Sequence, residues 1–188
     1  MASLASERWP GIAGIRTELT NSDLTTTETE DTSRTAVLIQ DMSRESRIVL
    51  LKSADVGRIA CARGSQPYVT PFSFAYDNDF IYSFGTVGRK IEWMRTNPLV
   101  CVEVDKIVRR QEWQTVVIFG RYQELLATPE FNEARQFAHD LLARKANWWE
   151  PGFSKTLKGG AERPFEPVFF RIIINEISGH QAIPDADP

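Results

Sequence analysis

YVTPFSFAYDNDFIYSFGTVGRKIEWMRTNPLVCVEVD, residues 68–105, lays down two strands around a tight turn, then a Gly-punctuated loop, a short helix and a further strand. The loop meets the helix at Gly85-Thr86-Val87-Gly88-Arg89-Lys90. Two adjacent cations at that point have the wrong sign locally, because a helix N-terminus carries roughly +0.5 charge. An anion held between the cations and the free backbone N–H groups reverses the sign. The segment suggests a phosphate-binding site on a β scaffold. The bland alternative is a solvated helix start with two surface cations.

The spacing is not that of a P-loop, which needs G-x-x-x-x-G-K-[ST], and no βαβ unit surrounds it as a Rossmann fingerprint requires. Upstream, Tyr68-Val69-Thr70-Pro71-Phe72-Ser73 reads as an edge or bulged strand, since Pro67 and Pro71 cannot donate to a ladder. Its freed backbone groups are suited to lie along the rim of a flat heterocycle. Tyr82-Ser83 on the paired strand could place a hydroxyl and an amide near the same phosphate.

Outward from this stretch the pattern continues. Ser43 is placed to cap a helix over 44–53, with Ile48 and Leu51 facing inward. Gly57–Arg63 and Gln66–Tyr76 read as strands around Gly64-Ser65, and Asp77-Asn78-Asp79 turns into Phe80–Phe84. A helix from about Gly88 to Thr96 stops at Asn97-Pro98. Leu99–Asp105 alternates cleanly, and Trp113–Leu125 is a long strand with Gly120 as a bend or bulge. Thr128 is suited to cap a helix with Pro129 in its first turn and a stripe of Phe131, Ala134, Ala138, Leu141 and Leu142. Residues 147–167 read as irregular, and Val168–Ile177 as the last strand. Several hairpins with few crossover helices favour a mainly β fold, an antiparallel barrel with a few helices.

The 188 residues suffice for one domain with a real core. No apolar run approaches the ~20 residues of a membrane span, and MASLASERWP lacks the layout of a secretion signal. A cytoplasmic protein that does not engage a membrane is expected. Cys61 and Cys101 lie in strand-like runs and read as buried thiols, and with His139 and His180 as the two histidines no metal site is expected. Arg8, Arg16 and Arg34 are outweighed by the acidic residues of 1–41, while the remainder is close to neutral. No basic face is implied, so nucleic acid is not an expected partner. Residues 1–42 read as an acidic, Thr-rich tail or arm, 43–181 as the folded domain and 182–188 as a C-terminal tail.

No G-x-S-x-G elbow is present, and neither histidine sits with a Ser or Cys in a known catalytic motif. Catalytic side chains are therefore unassigned, and any chemistry is expected to come from a cofactor. Asn147-Trp148-Trp149-Glu150-Pro151 buries a large aromatic area as core closure, as a lid over an aromatic ligand, or as a subunit contact.

Together, Tyr68–Ser73, Ile81-Tyr82-Ser83 leading to Gly88-Arg89-Lys90, Asn97-Pro98-Leu99-Val100, and Gln114-Thr115-Val116-Val117 running into Gly120-Arg121 resemble the pyridoxamine 5′-phosphate oxidase-like flavoproteins. This is the FMN-binding split β-barrel family, and the likeness runs from about Ser43 to Gln181. Within it the chain is most similar to the nitroimidazole-resistance-related branch. The resemblance implies FMN at the interface of a homodimer, with Tyr68, Val69, Thr70 and Pro71 along the isoalloxazine through main-chain contacts. It implies Tyr82, Ser83, Gly88, Arg89 and Lys90 around the phosphate, Gln114 reaching over from the partner subunit, and Trp148 or Trp149 covering the ring. It further implies a flavin-dependent oxidoreductase acting on a small molecule, with NAD(P)H as a possible donor. The alternative is a flavin- or haem-binding carrier or sensor of the same fold. Two departures narrow this. Ser83 stands where the branch's nitroimidazole reductases tend to carry histidine. The C-terminal Ser178-Gly179-His180-Gln181 has no arginine to match the B6-oxidising members.

Overall fold

A computed structural model of the chain describes residues 37–145, 155–164 and 167–184. The Asp77–Phe80 hairpin shows how local chemistry sets the register. Asn78 and Asp79 both take positive φ, 45° and 65°, the left-handed pair that a two-residue hairpin with right-handed strand twist requires. The turn aligns Gln66–Asp77 (β3) with Phe80–Gly85 (β4) from Asp77 opposite Phe80 to Phe74 opposite Ser83.

The remaining strands are Val37–Asp41 (β1), Val56–Arg63 (β2), Leu99–Arg109 (β5), Glu112–Glu124 (β6), Lys155–Lys158 (β7), Ala161–Pro164 (β8) and Val168–Pro184 (β9). The antiparallel order β9-β4-β3-β2-β5-β6 closes on itself through β6 with β9, and β1 adds to β9 beyond the point where β4 ends. The fold is therefore a split antiparallel barrel. A separate hairpin joins β7 and β8. Helices Arg44–Ser53 (α1), Arg89–Thr96 (α2) and Asn132–Ala143 (α3) complete it.

Two cores result from strand alternation. Phe72 and Phe74 of β3, Val100, Val102 and Val104 of β5, and Val116 and Ile118 of β6 fill the barrel with Leu51 from α1 and Ile91 and Met94 from α2. Ala75, Tyr82, Phe84 and Phe169 face outward and are covered by Ala138 and Leu142 of α3. Lys145 ties the end of α3 to the end of α1, donating to the carbonyl of Ala54 and pairing with Asp55 at 3.1 Å.

Several boundaries differ from the sequence reading. Val37–Asp41, expected within the N-terminal tail or arm, pairs residue by residue with Pro184–His180. The last strand therefore runs through Ala182, which is buried, to Pro184. These segments are short, and their order comes from ladder partners far away in sequence. Thr128 makes no side-chain cap bond; Pro129–Phe131 first forms a 3-10 turn, and α3 begins at Asn132. Residues 155–164, expected to be irregular, carry the β7–β8 hairpin. Ser43 does cap α1, accepting from the Ser46 amide at 3.1 Å.

Candidate functional site

The site lies where β3 and β4 separate. Past Phe74 and Ser83, β4 continues along β9 through Phe84 and Gly85, while the first half of β3 runs on against β2. The other edge of Gln66–Ser73 pairs with no strand among the described residues. The wedge holds a cavity of about 320 Å³ lined by Val56, Pro71, Phe72, Ser73, Phe84, Gly85, Thr86 and Lys90.

Alternation shows which backbone groups reach this free edge. The Phe74 amide donates toward β2, to the carbonyl of Asp55, so even-numbered residues of β3 direct their N–H and C=O groups to β2. Odd-numbered residues direct theirs to β4 or, before it begins, to the open edge. Pro67 and Pro71 are odd-numbered, so their missing donors cost the β2 ladder nothing. Pro71 thus offers its carbonyl at the cavity rim, and Val69 its main-chain groups further along the same open edge.

Lys90 carries the electrostatics. It is partly buried in the first turn of α2, and its Nζ lies 5.9 Å from the ring centres of both Phe72 and Phe170. Burial pushes its ammonium below the ordinary lysine value, and no carboxylate among the described residues opposes this. A buried charge without a partner is costly, and this one faces a cavity. Gly88 caps α2 with no side chain to bond the first amides. A Cβ on Gly85 would sit 3.6 Å from Lys90 Cε and Nζ, so larger side chains there grow into the ammonium's space.

The other expected site residues divide. Ser83 is fully buried and its hydroxyl donates to the Ser73 carbonyl at 2.6 Å, so it braces the wedge from within. Tyr82 points to the opposite face, its ring edge-on to Phe137 of α3 at 5.3 Å. Arg89 is exposed and does not line the cavity; its guanidinium lies 5.5 Å from the Tyr68 ring. Thr70 is half-buried on the strand face shared with Tyr68 and Phe72. Gln114 stands at another end of the barrel, donating to Gln181 at 3.2 Å beside a separate cavity of about 170 Å³. Trp148 and Trp149 fall outside the described residues. Of the cavity lining, Phe72, Ser73, Gly85 and Thr86 fall within the two stretches read from the sequence as binding segments, whereas Val56 and Phe84 were not singled out. Neither His139 nor His180 lines this cavity; they lie within 3.2 Å of Asp140 and Asp41 respectively. No described helix is long and apolar enough to cross a membrane.

Residues 43–181 match the model of the family described as pyridoxamine 5′-phosphate oxidase. An uncharacterized protein of Rhizobium meliloti (strain 1021) is 36% identical over 146 residues, which cover 78% of this chain and 97% of that protein. The crystal structure of a FAD-binding protein from Mesorhizobium loti is 36% identical, covers 79% of this chain and 99% of its own, and superposes with a TM-score of 0.64. A structure from Bacteroides thetaiotaomicron, named as a candidate 5-nitroimidazole antibiotic resistance protein, shares the fold at 16% identity and a TM-score of 0.57, over 80% of this chain and 93% of its own.

Proposed function

Because this chain belongs to the pyridoxamine 5′-phosphate oxidase family, we propose that it is a homodimeric, flavin-dependent oxidoreductase. Its Lys90 cavity takes the phosphate of FMN, or of the FMN half of FAD. The observation that carries the reading is the partly buried ammonium of Lys90, unpaired among the described residues and lining a cavity, in the first turn of a helix whose N-cap offers no side-chain bond. A phosphate there is a charge-assisted acceptor for the ammonium. The flavin binding named for the 36% identical Mesorhizobium loti protein supports the same assignment. Bound flavin supplies hydride and single-electron transfer at its ring.

The chain's own residues bind and orient. Val69 and Pro71 offer main-chain groups along the open β3 edge, Phe72 and Phe84 provide apolar walls, and Lys90 fixes the anionic end. The substrate is a small molecule other than a B6 phosphate, whose recognition arginine this chain lacks, and NAD(P)H is the electron donor. With both imidazoles outside the cavity, flavin is favoured over haem. Free Cys61 and Cys101 suit a reducing, cytoplasmic compartment.

A second copy of the chain fits the outer face of β3-β2-β5-β6. Val69 lies opposite Ala60, Ala60 opposite Cys101, and Cys101 opposite Phe119, an apolar row across four strands. Val69 is 62% and Phe119 52% exposed. The row begins beside Pro71, so a partner seated on it borders the cavity. It would then be positioned to bring Gln114, remote within one protomer, to the flavin.

The test is uptake and reduction. Purified protein mixed with FMN or FAD is expected to retain the yellow chromophore on gel filtration and to lose its colour under anaerobic NADPH or NADH. A protein that takes up neither flavin at micromolar concentration overturns the reading. One that holds flavin unreduced by either donor is a carrier instead.

A further inference from the structure

Arg63 and Arg89 are joined by two aromatic rings into a continuous stack. The Arg63 guanidinium lies 5.0 Å from the Trp93 ring centre, Trp93 meets Tyr68 edge-on at 5.6 Å, and the Arg89 guanidinium lies 5.5 Å from Tyr68. Both arginines are exposed, and neither has a carboxylate or carbonyl partner among the described residues. Trp93 is buried and Tyr68 half-buried, so the rings are fixed backing and the guanidiniums are the accessible outer surface.

Helix geometry separates this stack from the Lys90 cavity. Arg89 and Trp93 are four residues apart and share one face of α2, whereas Lys90 is a third of a turn away. Lys90 reaches Phe72 and Arg89 reaches Tyr68, and these two ring positions on β3 are separated by about 13 Å of strand. The molecule thus offers two cationic positions along one face of β3. A mononucleotide with one phosphate at Lys90 leaves the second unused.

We infer that the Arg63–Trp93–Tyr68–Arg89 stack is a subsite for the adenylyl half of FAD; this rests on the flavin reading above. Its chemistry matches that group on two counts. Guanidinium forks bond phosphate oxygens through paired N–H donors. Their planar faces, held flat by the aromatic backing, stack on a purine. Arg63 lies at the end of β2, outside the residues that line the Lys90 cavity.

The experiment compares FMN and FAD by equilibrium titration against the parent, Arg63→Ala and Arg63→Lys, with thermal melts confirming folding. The parent is expected to bind FAD at least about tenfold tighter than FMN, the worth of one charge-assisted phosphate contact. Arg63→Ala brings FAD down to the FMN level and leaves FMN within about twofold. Arg63→Lys, which keeps the charge and loses the plane, falls between. ADP in excess lowers FAD affinity to that of FMN and leaves FMN unaffected, a test that needs no variant. A parent that binds FMN as tightly as FAD, an Arg63→Ala that weakens both flavins equally or neither, or ADP without effect on FAD each overturns the subsite and leaves the flavin assignment standing. A parent that takes up neither flavin overturns both.

Discussion

Lys90 is expected to be a liability to the empty protein. Its folded-state pKa is pushed below the ordinary 10.5 by burial. As pH rises toward 10.5 the native state releases its proton before the unfolded chain does, so stability of the ligand-free protein rises through that window. Lys90→Met is expected to raise the melting temperature of the ligand-free protein at neutral pH and to flatten this rise; a lower melting temperature would show that the ammonium has a partner in the fold. Glu124 has the opposite sign. Two 2.7 Å bonds from Arg95 and one of 2.9 Å from Tyr122 hold its carboxyl below the usual value, burial opposing. Its contribution is present above about pH 4.5 and lost as pH falls through the lower folded value. With Arg95 partly solvated, Glu124→Gln is expected to cost about 1–2 kcal/mol at neutral pH and much less in acid, read from urea melts at both. The sign argument at Gly88-Arg89-Lys90 singled out two adjacent cations, of which Lys90 lines the cavity. Consecutive helical residues point about a third of a turn apart, so Lys90 lines the cavity and Arg89 does not. Ser83 and Tyr82 alternate on β4, and the barrel's closure turns Ser83 to the Ser73 carbonyl and Tyr82 to Phe137 of α3.

Among the elements, β6 shows what a single glycine controls. The register of β6 on β9 shifts between Phe119 and Gly120. A Cβ at Gly120 would lie 2.5 Å from Ile172 Cγ2 and 2.7 Å from the Ile173 carbonyl oxygen. Gly120→Ala must therefore push β9 away or unseat Ile172, and a loss of about 2 kcal/mol or more is expected. Gly88→Ala is the contrast. Its φ of −179° is open to any residue and its Cβ would meet nothing closer than 3.9 Å, so a loss under about 1 kcal/mol is expected. Equal losses at both positions, in parallel denaturant melts, would contradict the packing described. The bend at Gly120, the helices over 44–53 and 89–96 and the Asp77–Phe80 hairpin were legible because each carries its own local signal. β1, the end of β9 and the β7–β8 hairpin were not, because ladder pairing rather than a local pattern defines them.

For the whole molecule, the open edge of β3 and the apolar row across β2, β5 and β6 lie side by side, so assembly and cofactor binding are expected to be coupled. Phe119→Arg should give a monomer by sedimentation and weaken flavin binding at least about tenfold, though residue 119 is not in the cavity lining. A monomeric variant with parental affinity would separate the two. The claim on which the account rests is that Lys90 grips a flavin's phosphate. It is tested most directly by titrating the parent and Lys90→Met with FMN and with riboflavin, which has the same ring and no phosphate. Lys90→Met is expected to weaken FMN by about tenfold or more and to leave riboflavin unchanged; FMN bound equally by both proteins, or riboflavin weakened as much as FMN, would contradict it.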